Sequence, residues 1–184
     1  LIYKYNLFPF KIFSMIWFEE LQTRKKISRL YSAYEKTFPA DERRDEEQFL
    51  TLIEKPDCYI FGVNLEEQLV GYLILWELET CYFLEHFEVF EEFRNLKLGE
   101  KILTELKVKM NRIVLESEPR NLDEMAARRI GFYERNGFSV IDENYLQPSY
   151  GEGKNALHLF LLSNFEVENT SQIVTEIYAK VYEQ

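Results

Sequence analysis

Three runs rich in β-branched and aromatic residues, 58–63, 69–78 and 82–90, follow one another with only short polar stretches between them, and the period then changes. The first gap, Asn64-Leu-Glu-Glu-Gln68, is short and polar enough to be a hairpin loop, so the middle of the chain predicts a three-strand antiparallel meander. From Leu98 the apolar positions Leu98, Ile102, Leu103, Leu106 and Met110 recur at helical spacing, and residues 112–118 read again as a strand. Strand, helix and strand make a βαβ crossover. A meander feeding such a unit restricts the chain to a mixed α/β fold.

The flanks supply the layers that cover this sheet. Ile27, Leu30, Tyr31 and Tyr34 predict a helix over residues 22–35, ended by Phe38-Pro39 because the residue before proline avoids the α region. Residues 41–47 are a charge run and read as a solvated face. Phe49, Leu50 and Ile53 give a shorter helix, broken at Lys55-Pro56-Asp57. A further helix covers residues 122–136, with Ala126, Ile130 and Tyr133 on one face and Gly137 placed to end it in the left-handed conformation. Two last strands, 138–145 and 156–162, enclose a loop at 147–154 that is irregular enough to border a site. Val167, Val174, Ile177, Tyr178 and Val181 stripe a carboxy-terminal helix, which docks on the core or, alternatively, joins two subunits in a homodimer. The domain therefore reads as residues 15–163 with that helix in 164–184.

Length and composition exclude other classes. With 184 residues, 46% apolar, and 15 Phe, 12 Tyr and 2 Trp, the chain can bury one sizeable core and is not a disordered or low-complexity polymer. A net charge of −10 disfavours nucleic acid and anionic membranes as partners. Two Cys and two His cannot supply a four-ligand zinc site, and Cys58 and Cys81 stand in strand-like runs as buried, reduced thiols, which predicts a cytoplasmic protein. Lys4, Pro9 and Lys11 interrupt the apolar start, so no targeting or membrane segment is read there. Residues 1–14 precede Met15 and read as an upstream extension, with an added strand or arm as the alternative.

The stretch from Leu84 to Leu103 passes from a strand through a short loop directly into a helix amino terminus. The unpaired N–H groups of a first helical turn, with the helix dipole, favour an anion at such a junction. With Arg94-x-x-Lys97-x-Gly99 there and Arg129-Ile-Gly-Phe-Tyr-Glu-Arg-Asn-Gly-Phe138 downstream, the chain resembles the GNAT superfamily of N-acetyltransferases over residues 17–163. The resemblance implies a central, mostly antiparallel twisted sheet of about six to seven strands, flanking helices and a βαβ unit that binds acetyl-CoA. It also implies acetyl transfer from acetyl-CoA, the co-substrate, to a primary amine by direct attack in a ternary complex, without a metal. The pyrophosphate would lie on Arg94, Asn95, Leu96, Lys97, Leu98, Gly99 and Glu100, with Tyr133 near the sulfur. Arg94 and Gly99 fill the outer positions of the family's loop motif, and Tyr133, Gly137 and Phe138 fill the later one. The loop's middle glycine is Lys97 here. Either its Cβ points away from the pyrophosphate and its ammonium adds a phosphate contact, or the loop is degenerate and the chain is a non-catalytic acyl-CoA-binding or sensing module.

Transfer from a thioester to an amine needs a deprotonated amine, a stabilised oxyanion and a proton for the thiolate. Glu85 is the first candidate base, acting through a water, and Glu116 the second. The resemblance makes Tyr133 the general acid and gives the oxyanion to a backbone N–H near Phe87 to Val89, where it implies a bulged strand whose free edge pairs with the pantetheine arm. Strand alternation puts His86 on the opposite face from Glu85, outside the mechanism. The acceptor is a small-molecule or peptide amine, bordered by Tyr150 and residues 38–45, and the acidic composition is compatible with a cationic one.

Overall fold

The computed structural model describes residues 15–183, so the extension read at residues 1–14 lies outside the described residues. After β1 (Ile16–Glu20), α1 (Arg24–Thr37) begins where the Thr23 hydroxyl accepts the Lys26 N–H. The short α2 (Glu46–Leu50) is closed reciprocally, the Gln48 N–H donating to Asp45 and the Asp45 N–H to the Gln48 side chain, both at 3.0 Å. The meander is β2 (Cys58–Leu65), β3 (Gln68–Glu77) and β4 (Tyr82–Val89). Then α3 (Leu98–Lys109) crosses over to β5 (Ile113–Ser117), and α4 (Glu124–Arg135) leads into β6 (Ser139–Asp142). The chain finishes with β7 (Leu146–Gln147), β8 (Leu157–His158), β9 (Phe160–Ser163) and α5 (Thr170–Val181).

Seven strands form one sheet in the order β1-β2-β3-β4-β5-β9-β6, and β7 with β8 makes a separate ribbon. Among the described residues only β4 and β5 pair in parallel, which is the βαβ unit that the change of period predicts. Alternate residues of β3 serve two cores, one on each face of the sheet. Tyr72, Ile74 and Trp76 pack with Ile27, Leu30 and Tyr34 of α1 and with Ile173, Ile177 and Val181 of α5. Leu73 and Leu75 pack with Ile102, Leu103 and Leu106 of α3 and with Ile130 and Tyr133 of α4. The carboxy-terminal stripe is thus covered by the chain's own sheet.

Several expectations need correction. The hairpin loop between β2 and β3 is only Glu66 and Glu67, because Leu65 pairs with Gln68 and Glu66 takes the left-handed turn conformation at φ +57°. The strand expected over 138–145 stops at Asp142, which accepts the Asn144 N–H at 2.8 Å where the chain bends, and the one expected over 156–162 is divided, β9 joining β6 in the main sheet while β8 pairs with β7 apart from it. The charge run is not wholly a solvated face, since Arg44 is buried and Glu42 half-buried. Both cysteines are free and buried, as their strand context predicts.

Two irregularities of β4 set up the site. Opposite β3 the register passes from Ile74↔His86 to Leu75↔Leu84, so Glu85 is an extra residue in the strand. That bulge cancels the alternation and puts Glu85 and His86 on the same face, toward α1 and α5, where His86 Nε2 lies 3.8 Å from Glu85 Oε1. It also lies two residues before Phe87, the start of the segment where a bulge was expected. Opposite β5 the ladder covers only Tyr82↔Ile113 to Leu84↔Leu115, and beyond it β4 has no strand partner on that side among the described residues. One more step would pair Glu85 with Glu116.

Candidate active site

The gap left by the splayed strands is a single cleft of about 1160 Å³. β4 contributes Phe87 and Val89, the following loop Arg94, Asn95 and Lys97, and α3 its first three residues, Leu98, Gly99 and Glu100. Asn95 and Lys97 both have left-handed backbones, at φ +66° and +57°, so the turn delivers the free N–H groups of the first turn of α3 to the cleft. Positive φ is what the family's glycine permits. Lys97 adopts it at a cost of about 1–2 kcal/mol for a residue with a Cβ. Gly99 has a different reason to lack a side chain, since a Cβ there would come within 3.2 Å of the Phe132 ring on α4. Leu96, also expected in the phosphate loop, is exposed and does not line the cleft. Arg94 Nε donates to the Val89 carbonyl at 3.0 Å, at the end of β4.

Both signs of charge line the cleft. Arg94 and Lys97, with Arg128, Arg129 and Arg135 of α4, supply the cations, and Glu42, Glu85, Glu88, Glu100, Glu116 and Glu118 the carboxylates, Glu88 lying 3.8 Å from Arg94. From Glu85 to Val89 the strand advances roughly 13 Å, so the α3 amino terminus and the level of Glu85 and Glu116 are well separated. Glu118 pairs with Arg129, whereas Glu42 has no cationic partner within salt-bridge reach among the described residues. Burial, with the negative charge of Glu118, pushes the Glu42 carboxyl up to about 7.

The two glutamates at the splay have opposite surroundings. The Glu85 side chain has no exposure; Arg44 and Tyr150 donate to its Oε1, and Trp76 Nε1 donates to Oε2 at 2.7 Å. Burial alone would raise its pKa, but the Arg44 charge and these donors hold it below the ordinary carboxylate value, so it stays ionised. Arg44 donates its other nitrogen to the Val181 carbonyl at 2.8 Å and stacks over the Tyr150 ring at 4.8 Å. Among the described residues Glu116 has no cation beside it and its Oε2 has no hydrogen-bond partner; Tyr182 donates to its Oε1 at 2.7 Å, and burial pushes the carboxyl up to about 8.

Tyr133 is held by the end of its own helix. The Phe138 N–H donates to the Tyr133 carbonyl at 3.1 Å and the Gly137 N–H to that of Glu134 at 3.0 Å, with Gly137 at φ +84°. This is a Schellman stop, and its usual apolar contact is the pair of rings Tyr133 and Phe138, 5.8 Å apart. The motif Tyr133-x-x-x-Gly137-Phe138 is thus a helix terminus that locks the ring in the cleft wall. Its hydroxyl has no protein partner among the described residues, and burial raises it to about 12, so it is protonated at neutral pH.

Sequence reasoning missed Arg44, Trp76 and Tyr182. One signal was available: a tryptophan inside an apolar strand needs an acceptor for its N–H. Tyr150 and Glu42 fall within the regions placed near the acceptor, and Gln147 of the loop also lines the cleft. Among the described residues no group of His, Cys, Asp or Glu could hold a metal ion, and no helix is long and apolar enough to cross a membrane.

Comparisons with known proteins agree with this geometry. The family model for GNAT acetyltransferases matches residues 26–138. A protein from Bacteroides thetaiotaomicron, assigned to the GNAT family of acetyltransferases, superposes with a TM-score of 0.84 at 26% identity, over 91% of this chain and 99% of that one. Arabidopsis thaliana NAA60 in complex with acetyl-CoA gives 0.58 at 14% identity, over 81% and 97%. The PaiA N-acetyltransferase of Thermoplasma acidophilum in complex with coenzyme A gives 0.53 at 17%, over 83% and 99%. No curated protein matches.

Proposed function

This chain belongs to the GNAT family of acetyltransferases, and on that premise we propose that it acetylates the nitrogen of a primary, cationic amine by direct attack in a ternary complex with acetyl-CoA. The observation that carries this reading is one cleft that joins the free helix N–H groups of α3, with Arg94 and Lys97 past the end of β4, to the cation-free carboxylate of Glu116 at the splay. The first suits a pyrophosphate and the second an ammonium group.

The bound thioester supplies an activated acetyl carbonyl. The first-turn N–H groups of α3, with Arg94 and Lys97, hold the pyrophosphate, and the unpaired side of β4 accepts the pantetheine arm as an extra strand would. A β4 N–H near Phe87 to Val89 meets the carbonyl oxygen as charge develops on it. An alkylammonium has a pKa of about 10.4, which desolvation in the cleft lowers. Glu116, raised to about 8, is matched to take that proton, whereas Glu85 is a fixed counter-ion to Arg44. As the nitrogen–carbon bond forms and the carbon–sulfur bond breaks, the Tyr133 hydroxyl protonates the departing sulfur, and the second proton that the new amide nitrogen sheds restores, in net, the Tyr133 hydroxyl.

Release of free thiol with a panel of amines tests the reading. Wild-type kcat/KM rises with pH through about 8 as Glu116 ionises. Tyr133→Phe lowers turnover by about 100-fold or more while acetyl-CoA affinity, measured by calorimetry, stays within about twofold. An unchanged rate removes Tyr133 from the mechanism. Tight coenzyme binding with no thiol released by any amine makes the chain an acyl-CoA-binding module instead.

A further inference from the structure

The end of the chain reaches the site. Val181 and Tyr182 lie far beyond the family-matched residues 26–138, yet the Val181 carbonyl accepts from Arg44 and the Tyr182 hydroxyl donates to Glu116. Tyr182 is only 8% exposed and its ring packs 5.1 Å from that of Tyr150. Four groups therefore run in series: Glu85, the Tyr150 hydroxyl at 2.7 Å from it, the Tyr182 hydroxyl 3.4 Å further on, and Glu116 at 2.7 Å.

The protons in this series are constrained. Arg44 keeps Glu85 ionised, so Glu85 claims the Tyr150 proton permanently. The Tyr182 proton then has two acceptors, the Tyr150 oxygen and Glu116 Oε1. When Glu116 is ionised the Tyr182 proton turns to it, and when Glu116 is protonated it can turn back to Tyr150 while the Tyr182 oxygen accepts. A hydroxyl with that choice stabilises a buried carboxylate without a cation beside it. We infer that Tyr182 is a positioning residue for acetyl transfer, its hydroxyl orienting Glu116 and holding it available as a base.

This inference rests on the assignment of Glu116 above. The other groups facing Glu116 are Glu85 from β4, Glu42 from the turn after α1, and Tyr145 from the bend before β7. The two glutamates oppose its ionisation and the Tyr145 hydroxyl favours it, so Tyr182, the larger of the two hydroxyl contributions, works with Tyr145 against them.

The test compares Tyr182→Phe, Glu116→Gln and Lys180→Met in the full chain, by thiol release as a function of pH. Lys180 pairs with Asp57 at 2.9 Å and donates to the Glu77 carbonyl at 2.8 Å, so its loss weakens the docking of α5 without touching the hydroxyl series. Tyr182→Phe moves the acid limb of kcat/KM upward by about one pH unit, a loss of about tenfold at pH 7 that is regained above pH 9. Lys180→Met lowers the melting temperature and leaves the limb in place. An unmoved limb in Tyr182→Phe, with Glu116→Gln still slow, overturns the role of Tyr182 alone. If Glu116→Gln keeps the wild-type rate, the base assignment itself falls. A limb that moves equally in Lys180→Met reduces Tyr182 to a packing residue.

Discussion

Removing Arg44 should damage stability more than any surface pair would, and in a pH-dependent way. Arg44→Met keeps most of the volume and the stacking stem but deletes the donors to Glu85 and to the Val181 carbonyl. Glu85 retains Trp76 and Tyr150 as donors yet loses the guanidinium paired with it, in a position with no side-chain exposure. Breaking a buried pair from one side costs about 4 kcal/mol, which for a domain of this size lowers the melting temperature by about 8–16 °C. The sign with pH follows from the carboxylate. In the wild type Glu85 is held below its unfolded value, so its stabilisation is present above about 4.5 and is lost as pH falls. Without Arg44, burial raises it instead, and stability falls as pH rises from the unfolded value toward the raised one. The gap between variant and wild type therefore widens from pH 4 to pH 8. Urea denaturation at pH 4, 6 and 8 measures it, with Arg44→Met/Glu85→Gln as the control that recovers most of the loss at pH 8. A single variant within about 1 kcal/mol of wild type at pH 8, or a double variant no better than the single, would refute the counter-ion role.

Lys97 and Gly71 give two further tests. Lys97→Gly relieves a left-handed backbone worth about 1–2 kcal/mol against about 0.5–1 kcal/mol of added chain entropy, so denaturation should show a small gain. Lys97→Ala shows none, and if the ammonium meets a phosphate both variants bind acetyl-CoA about tenfold more weakly by calorimetry. Gly71→Ala places a Cβ 2.1 Å from the Glu88 carbonyl oxygen, so β3 and β4 must separate locally. That costs about 1–3 kcal/mol, and an unaltered denaturation midpoint would show that the strands part freely there.

Much of the fold follows from patterns local to each element. The change of period at Leu98 is enough for the crossover, and Gly137 is enough for the end of α4, because each is decided within a few residues of chain. The site is less legible because its controlling features are not local. Nothing in Leu84-Glu-His-Phe87 marks Glu85 as an extra residue; the bulge exists only in the register against β3. Strict alternation then misplaces His86, which in fact accepts or donates with the Tyr34 hydroxyl at 3.0 Å on the α1 side. Arg44 reads as one more solvated charge among seven, and its burial follows from the sequence-distant Glu85 and Val181.

The same irregularities that hid the site explain why the fold keeps them. An unbulged β4 would shift the face presented by every residue on one side of Glu85 relative to those on the other. Either Phe83 would leave the α1 and α5 core, or Phe87 and Val89 would leave the α3 and α4 side. The bulge satisfies both cores and in doing so turns two polar residues, Glu85 and His86, into one of them. Glu85 must then have a buried cation, and Arg44 supplies it. That permanent charge in turn orients Tyr150 and opposes ionisation of Glu116 one ladder step away. A single extra residue thus produces a pair of carboxylates, one held ionised by Arg44 and one raised toward neutral pH by burial, and the second is the one we propose as the base of acetyl transfer.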